Sequence, residues 1–321
     1  VVLRDPPPYI RAMTDRPTLL VAQPHLAPIA ALLSGQYAML SLWDDPTDAQ
    51  LADVRAIVVA GEYAIDRTLV DRMPKLGLIA CFTVGYDGID VAWAKSRGLQ
   101  VSHAQDANDE DVADHAIGLI VGHRRRIVAG DRMLRAGEWH ARAKALTPSL
   151  GGAKLGIVGL GGIGRAVARR GEVMRMSVAW WGPNAKPDAE WPRAETLLEL
   201  ARDSDILVVA ARAHDGNVGL ISAEVIAALG PQGLLVNVAR GQLVDEDAAI
   251  AALRAGTLGG AALDVYETEP TPADRWADVP NAVLTPHTAG ATNEAVQTMA
   301  RMLVANLEAF FAGETLPNPA T

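Results

Sequence analysis

Four short stretches carry residue types that could do chemistry together. The first, GIVGLGGIG (156–164), sets its glycines after an apolar run and before RAVARRGEVM, which reads as a helix. In a strand–turn–helix setting, Gly159 permits the tight turn and Gly161 lets a pyrophosphate approach backbone N–H groups. Gly164 lets the helix pack closely on the strand, and the expected chemistry is capture of a dinucleotide. The second, NVARGQLVDE (237–246), places Arg240 just past an apolar run, where ligands of open α/β sheets bind. A guanidinium there suits two-pronged capture of a carboxylate; capping a helix or pairing with Asp245 would explain it equally well. The third, LDVYETEP (263–270), carries Asp264, Glu267 and Glu269 at another strand end, and the fourth, TPHTAG (285–290), carries His287. A lone loop histidine is ordinarily a surface residue. A neighbouring carboxylate holds an imidazole in place and favours its protonated form, which suits proton exchange near neutral pH. An Arg, a Glu and a His around the nicotinamide end of a dinucleotide describe hydride transfer on a 2-oxo or 2-hydroxy acid. Arg240 would hold the carboxylate and polarise the carbonyl, and His287 would exchange the hydroxyl proton.

These stretches need strands to end beside them, and the chain supplies two series. TLLVA (18–22), AIVVA (56–60), LIACF (78–82) and LQVSH (99–103) form the first. GIVGL (156–160), SVAWW (177–181), DILVVA (205–210), GLLVNV (233–238) and GAALDV (260–265) form the second. Segments with helical apolar spacing, such as LLELARDS (197–204) and AEVIAALG (223–230), lie between them. Alternation of this kind implies parallel sheets covered by helices on both faces. The expected architecture is α/β: two Rossmann-like, doubly wound parallel-sheet domains with a cleft between them. One long helix over 110–137 marks the division, and a second over 293–313, ended by Gly313 and Pro317, crosses back to the first domain. The substrate-binding, flavodoxin-like domain is therefore expected over 1–107 plus 289–321, and the dinucleotide-binding domain over 108–288.

The totals agree with two domains. The 321 residues exceed one ordinary domain, and half of them are hydrophobic. A net charge of −9 argues against a nucleic-acid partner, whose phosphates are bound through Lys and Arg. The single cysteine, Cys81, excludes an internal disulfide and fits a reducing compartment. No apolar run reaches the roughly 20 residues of a membrane span, and the Pro-rich, charged start (1–17) has no leader-like core. A cytoplasmic protein without membrane contact is expected, with Met13 as a possible ordinary start and no metal site.

Taken together, the motifs resemble the D-isomer-specific 2-hydroxyacid dehydrogenases, particularly the glyoxylate/hydroxypyruvate and hydroxyphenylpyruvate reductases. The resemblance runs from about Thr18 to the end. It is carried by FTVGYDGID (82–90), RGLQV (97–101), EDVADHAIGLIV (110–121), AGEW (136–139) and the four stretches above. It implies that Arg240, Glu269 and His287 are catalytic, Glu269 being singled out because it precedes Pro270, five residues past Asp264. Val84 and Gly85 match a loop whose backbone N–H groups bind the substrate carboxylate, alongside Arg240 and His287. Asp264 matches the residue that meets the nicotinamide carboxamide. The implied cofactor contacts are Gly159, Gly161, Gly162, Ile163, Gly164, Trp181, Gly182, Pro183, Asn184, Lys186, Ala211, Arg212, Val238, Ala239, Asp264, His287 and Ala289. His115 matches an acid–histidine pair at the hinge helix and reads first as a satisfied helix residue. Trp139 matches a dimer-interface region where an aromatic can reach the neighbour's active site, and a core or interface role is the simpler reading. A homodimer is implied, and Glu269, where formate-oxidising relatives carry Gln, argues against formate oxidation.

Two stretches depart from the family. ARAHDGN (211–217) introduces Arg212 and His214 where the family usually has uncharged residues. In SVAWWGPN (177–184), the place roughly 20 residues past the glycines holds no acid for an NAD ribose. Nothing there repels a 2′-phosphate, but Gly182, Pro183 and Asn184 replace the Ser-Arg-Ser-like clamp usual in NADPH-using relatives. Asn184 can hydrogen-bond either cofactor, and Lys186 or Arg212 could supply charge. The expectation leans to NADP(H), with NAD(H) close behind. The expected activity is NAD(P)H-dependent reduction of a small 2-oxo acid, such as glyoxylate or hydroxypyruvate, to the D-2-hydroxy acid. The alternatives are a reductase for bulkier aromatic or branched 2-oxo acids, or a dinucleotide-sensing, corepressor-like binding protein.

Overall fold

In the computed structural model the described residues are 16–139 and 146–320, so most of the Pro-rich start, with Met13, lies outside them. The chain divides into two compact units, 1–107 with 293–321, and 108–292.

The first unit holds β1 (Thr18–Val21), β2 (Ala38–Ser41), β3 (Val54–Val59), β4 (Leu78–Cys81) and β5 (Gln100–Ser102). All pair in parallel, in the order β2-β1-β3-β4-β5. The central strands are apolar runs because both of their faces are covered, and β4 is buried throughout. The edge strand β2 was not expected from the sequence. Its AMLS is half-buried to exposed, so it lacks the continuous apolar signal of its neighbours. Helix Asn293–Ala312 belongs to this unit and buries Ala295, Met299, Leu303 and Leu307, at four-residue spacing, in a cluster with Leu19, Val58 and Leu78. It ends at Gly313 (φ +73°), where Gly313 N–H donates to Phe310 O and Glu314 N–H to Ala309 O.

The second unit carries β6 (Lys154–Val158), β7 (Ser177–Trp181), β8 (Ile206–Val209), β9 (Leu234–Asn237), β10 (Gly260–Leu263) and β11 (Ala282–Leu284). The sheet is parallel in the order β11-β10-β9-β8-β6-β7. The chain leaves β6 for β7 on one side and then passes to β8 on the other, so the strand order reverses between β6 and β8. A crevice outside the carboxyl ends at such a reversal is where doubly wound sheets bind ligands. Short helices between strands start at side-chain caps: Thr196 with Glu199 for Leu197–Arg202, Ser222 for Ala223–Leu229, and Asp245 for Glu246–Ala255.

Two expected boundaries are corrected. The single helix expected over 110–137 is two, Asp109–Arg124 and Ile127–Arg135. The apolar pattern pauses over GHRRR (122–126), and Arg126 takes a left-handed φ of 52° while its N–H donates to His123 O. The return to the first unit comes at Asn293 and not at residue 289. Residues 288 and 289 stay with the second unit because the N–H groups of Thr288 and Ala289 donate to the buried Asp264 carboxylate. Among the described residues no helix is long and apolar enough to cross a membrane.

Candidate active site

The glycine turn between β6 and helix Gly162–Val173 has the shape a pyrophosphate needs. Gly159 sits at φ +94°, and a Cβ there would strike the Ala211 backbone 2.6 Å away. A Cβ at Gly164 would strike the Gly159 carbonyl oxygen, so helix and strand meet at backbone contact. Gly161 faces open space and caps the helix without a side chain, leaving the first-turn N–H groups to an incoming anion. Gly162 lies against the Asp109 carboxylate, Ile163 is half-buried and Gly164 is buried. This is a cradle that any side chain would fill, and it fits a dinucleotide.

At the end of β7, beside the cradle, Trp181 O accepts from Gly159 N–H at 2.8 Å. Gly182 is buried, whereas Pro183, Asn184 and Lys186 are exposed. Arg212, also exposed, precedes a turn closed by its own residues: Asn217 Nδ2 donates to Arg212 O, Asn217 Oδ1 accepts from His214 N–H, and His214 Nδ1 accepts from Gly216 N–H. The family departure at 211–217 is thus a self-capped turn.

The loop after β9 carries Val238 and Ala239, both buried, and the half-buried Arg240. Asn237, the last residue of β9 and 1 % exposed, sets its path. Its Oδ1 accepts from Ala239 N–H at 3.1 Å and its Nδ2 donates to Arg240 O at 2.9 Å. Arg240 Nη1 donates to Ala239 O at 2.7 Å. Gly241 then lies flat on the Tyr266–Glu267 peptide, where any Cβ would collide, so Arg240 is held beside the loop after β10. Asp245 serves as a helix cap, accepting from Ala248 N–H. The buried Glu246 accepts from Glu267 N–H and Arg275 Nε and ties the far side of the same loop.

Glu269 and His287 come together from the ends of β10 and β11. Glu269 Oε1 accepts from Tyr266 N–H at 2.9 Å, and Glu269 Oε2 lies 2.6 Å from His287 Nδ1. With a carboxylate as partner Nδ1 carries the proton, so Nε2 is the nitrogen available to a substrate. His287 is half-exposed and takes a left-handed φ of 53°, fixed by its N–H donating to Asp264 O at 2.8 Å. Asp264, 1 % exposed, accepts from Thr285 Oγ1 (2.6 Å), Thr288 N–H (2.9 Å) and Ala289 N–H (2.8 Å). One lone pair on Oδ2 is left for a further donor. The Thr285 proton goes to Asp264, so its oxygen accepts from His115 Nε2 at 2.9 Å. His115 is thereby a satisfied helix residue that braces the Asp264 loop. Burial pushes the Tyr266 phenol up to about 12, with the Asp264 and Glu269 carboxylates adding, and its proton is given to Thr285 O. The Tyr266 hydroxyl thus ties the loop that carries Glu269 to Thr285.

Val84 and Gly85 lie in the first unit, in the loop after β4. Thr83 Oγ1 accepts from Gly61 N–H and donates to Gly85 O, while His103 Nδ1 donates to Val84 O at 2.9 Å. Cys81 lies beneath, its thiol pushed up to about 11 by burial, so it offers no nucleophile. Asn237, Thr285 and Glu246 were missed from sequence. Asn237 alone carried a signal, as a polar residue closing an apolar strand.

Known proteins resemble this chain over most of its length. Residues 117–289 match the family model described as D-isomer specific 2-hydroxyacid dehydrogenase, NAD binding domain. The chain is 38 % identical over 292 residues to glyoxylate/hydroxypyruvate reductase A of Arabidopsis thaliana, covering 89 % of this chain and 93 % of that protein. It is equally identical, over the same length and shares, to hydroxyphenylpyruvate reductase of Plectranthus scutellarioides. Among solved structures, the NADPH-dependent glyoxylate/hydroxypyruvate reductase of Sinorhizobium meliloti, bound to NADP and malonate, matches with a TM-score of 0.88. It is 35 % identical, over 96 % of this chain and 97 % of that one. A glycine cradle, an arginine held over the β10 loop and a histidine locked to a glutamate are thus built on a chain that belongs to the D-isomer specific 2-hydroxyacid dehydrogenase family.

Proposed function

We propose that the protein reduces a small 2-oxo acid of the glyoxylate or hydroxypyruvate type to the D-2-hydroxy acid, preferring NADPH and accepting NADH. The observation that carries this reading is the 2.6 Å Glu269–His287 pair, which commits Nδ1 and leaves Nε2 for a substrate oxygen. The glycines at 159, 161, 162 and 164, with Ile163, would hold the pyrophosphate. Trp181, Gly182, Pro183, Asn184, Lys186, Ala211 and Arg212 would line the adenosine side, and Val238, Ala239, Asp264, His287 and Ala289 the nicotinamide side. When bound, the reduced nicotinamide supplies the hydride. Arg240 clamps the carboxylate and draws charge toward the carbonyl oxygen. His287 Nε2 hands its proton to that oxygen, and Glu269 stabilises the imidazolium beforehand. Initial rates with NADPH and NADH across glyoxylate, hydroxypyruvate and phenylpyruvate test the reading. Turnover highest with the two small acids is expected. Preference for phenylpyruvate would move the assignment to bulkier substrates, and cofactor binding without turnover would make the protein a sensor.

Asn237→Ala is expected to destabilise the protein by about 1–3 kcal/mol, the cost of leaving buried backbone groups unpaired. It should also lower kcat/KM, because the Arg240 backbone loses its anchor. Denaturant melts and steady-state kinetics read the two effects, and wild-type values in both would remove Asn237 from the site.

We also infer a cytoplasmic homodimer. Ile127, Leu134 and Trp139 are each more than half exposed within one short segment, a clustering that marks an interaction surface. Light scattering is expected to give the mass of two chains for the wild type and of one for Leu134→Glu. A wild-type monomer would end this reading.

A further inference from the structure

The loop after β7 offers no acid for a ribose and no clamp for a phosphate, but a residue outside that loop reaches it. Residues 192–194 make an isolated parallel bridge with β7: Trp180 N–H donates to Pro192 O at 3.0 Å and Ala194 N–H to Trp180 O at 2.8 Å. That pairing sets Arg193 opposite Trp180. The Arg193 guanidinium lies over the indole, 5.7 Å from Cζ to the ring centroid. The indole is itself fixed, since Trp180 is buried and its Nε1 donates to Trp191 O at 3.0 Å. Arg193 Nη2 donates to Gly182 O at 2.7 Å and reaches Pro183 O at 3.5 Å. These contacts hold the cation at the first residues past the strand, where a carboxylate would otherwise select NAD.

Arg193 is exposed, and among the described residues Nε and Nη1 have no hydrogen-bond partner and no carboxylate pairs with it. Arg165, the nearby cation of helix Gly162–Val173, is by contrast paired with Asp188 at 2.8 Å. A guanidinium held over a ring and anchored through Nη2 is pre-organised, and Nε–H and Nη1–H remain as separate charged donors to phosphate oxygens. We propose that Arg193 is the specificity-determining residue for NADPH, binding the 2′-phosphate of the adenosine ribose. This rests on the NADPH reading above and names the residue that produces it; Lys186, on the exposed loop, is the rival.

Calorimetric titration with adenosine 2′,5′-bisphosphate and with 5′-AMP tests the assignment without turnover. Wild type is expected to bind the bisphosphate more tightly. Arg193→Met should weaken the bisphosphate roughly 10- to 100-fold, the worth of charged hydrogen bonds, and 5′-AMP by less than about threefold. Arg193→Lys should recover part of the loss, and in Lys186→Met the preference for the bisphosphate over 5′-AMP should persist. Equal weakening of both ligands would mean that Arg193 only holds the loop, and would overturn the proposal. So would a bisphosphate preference that survives Arg193→Met, or one lost in Lys186→Met, with the NADPH reading left standing. Wild type binding both ligands equally would instead remove the NADPH reading, and the proposal with it.

Discussion

His287→Ala lowers kcat by roughly a hundredfold to ten-thousandfold, the span typical of a lost general acid, and shifts cofactor affinity only a few-fold. The separation follows from the contacts. His287 Nδ1 is spent on Glu269, so what the substitution removes is Nε2, the nitrogen to which the proposed mechanism gives the proton transfer. The cradle at 159–164 is built from β6 and its helix and does not depend on that ring. The Tyr266 hydroxyl is already engaged with Thr285 O at 2.9 Å. Glu269→Gln should produce a smaller loss, since glutamine still accepts from Nδ1–H but no longer stabilises the imidazolium. Single-turnover measurements at saturating cofactor, with cofactor binding followed separately, resolve the two effects. If kcat falls less than about tenfold, His287 is not the proton donor.

Arg240→Lys is expected to raise KM and lower kcat together, with a combined loss in kcat/KM of roughly 10- to 100-fold. A guanidinium can hold a carboxylate with two parallel hydrogen bonds while keeping charge near the carbonyl; an ammonium is a point charge on a flexible stem. The loss falls on both constants because the same group binds the ground state and steadies charge in the transition state. The fork also depends on its backbone, which Asn237 and the Gly241–Tyr266 contact fix. An unchanged kcat/KM would sink the carboxylate clamp, and a rise in KM alone would confine Arg240 to binding.

The strands that carry these residues were legible because a strand buried on both faces must be apolar along its length. ILVV of β8 and LLVN of β9 are buried throughout. The edge strand β2 left no such mark, since an edge leaves side chains half in water. The break at Arg126 was hidden for another reason: apolar residues at helical spacing resume beyond GHRRR, so the pause reads as one polar turn of a continuous helix. Glu267 and Glu269 are indistinguishable by type and near-identical in position. Folding separates them, sending the Glu267 N–H to Glu246 and the Glu269 carboxylate to His287.

What the sequence alone determined was the sheet-and-helix plan and the cradle. Periodicity and glycine placement are local properties, written within one strand, turn and helix. What only the tertiary structure decided were the partners: His115 behind Asp264, and Arg193 over Trp180. His115 and Asp264 are far apart along the chain, and Arg193 comes from an irregular segment with no period to read. Their meeting depends on strand order and on chain packing across the sheet, and a one-dimensional pattern does not encode which distant side chains then face one another.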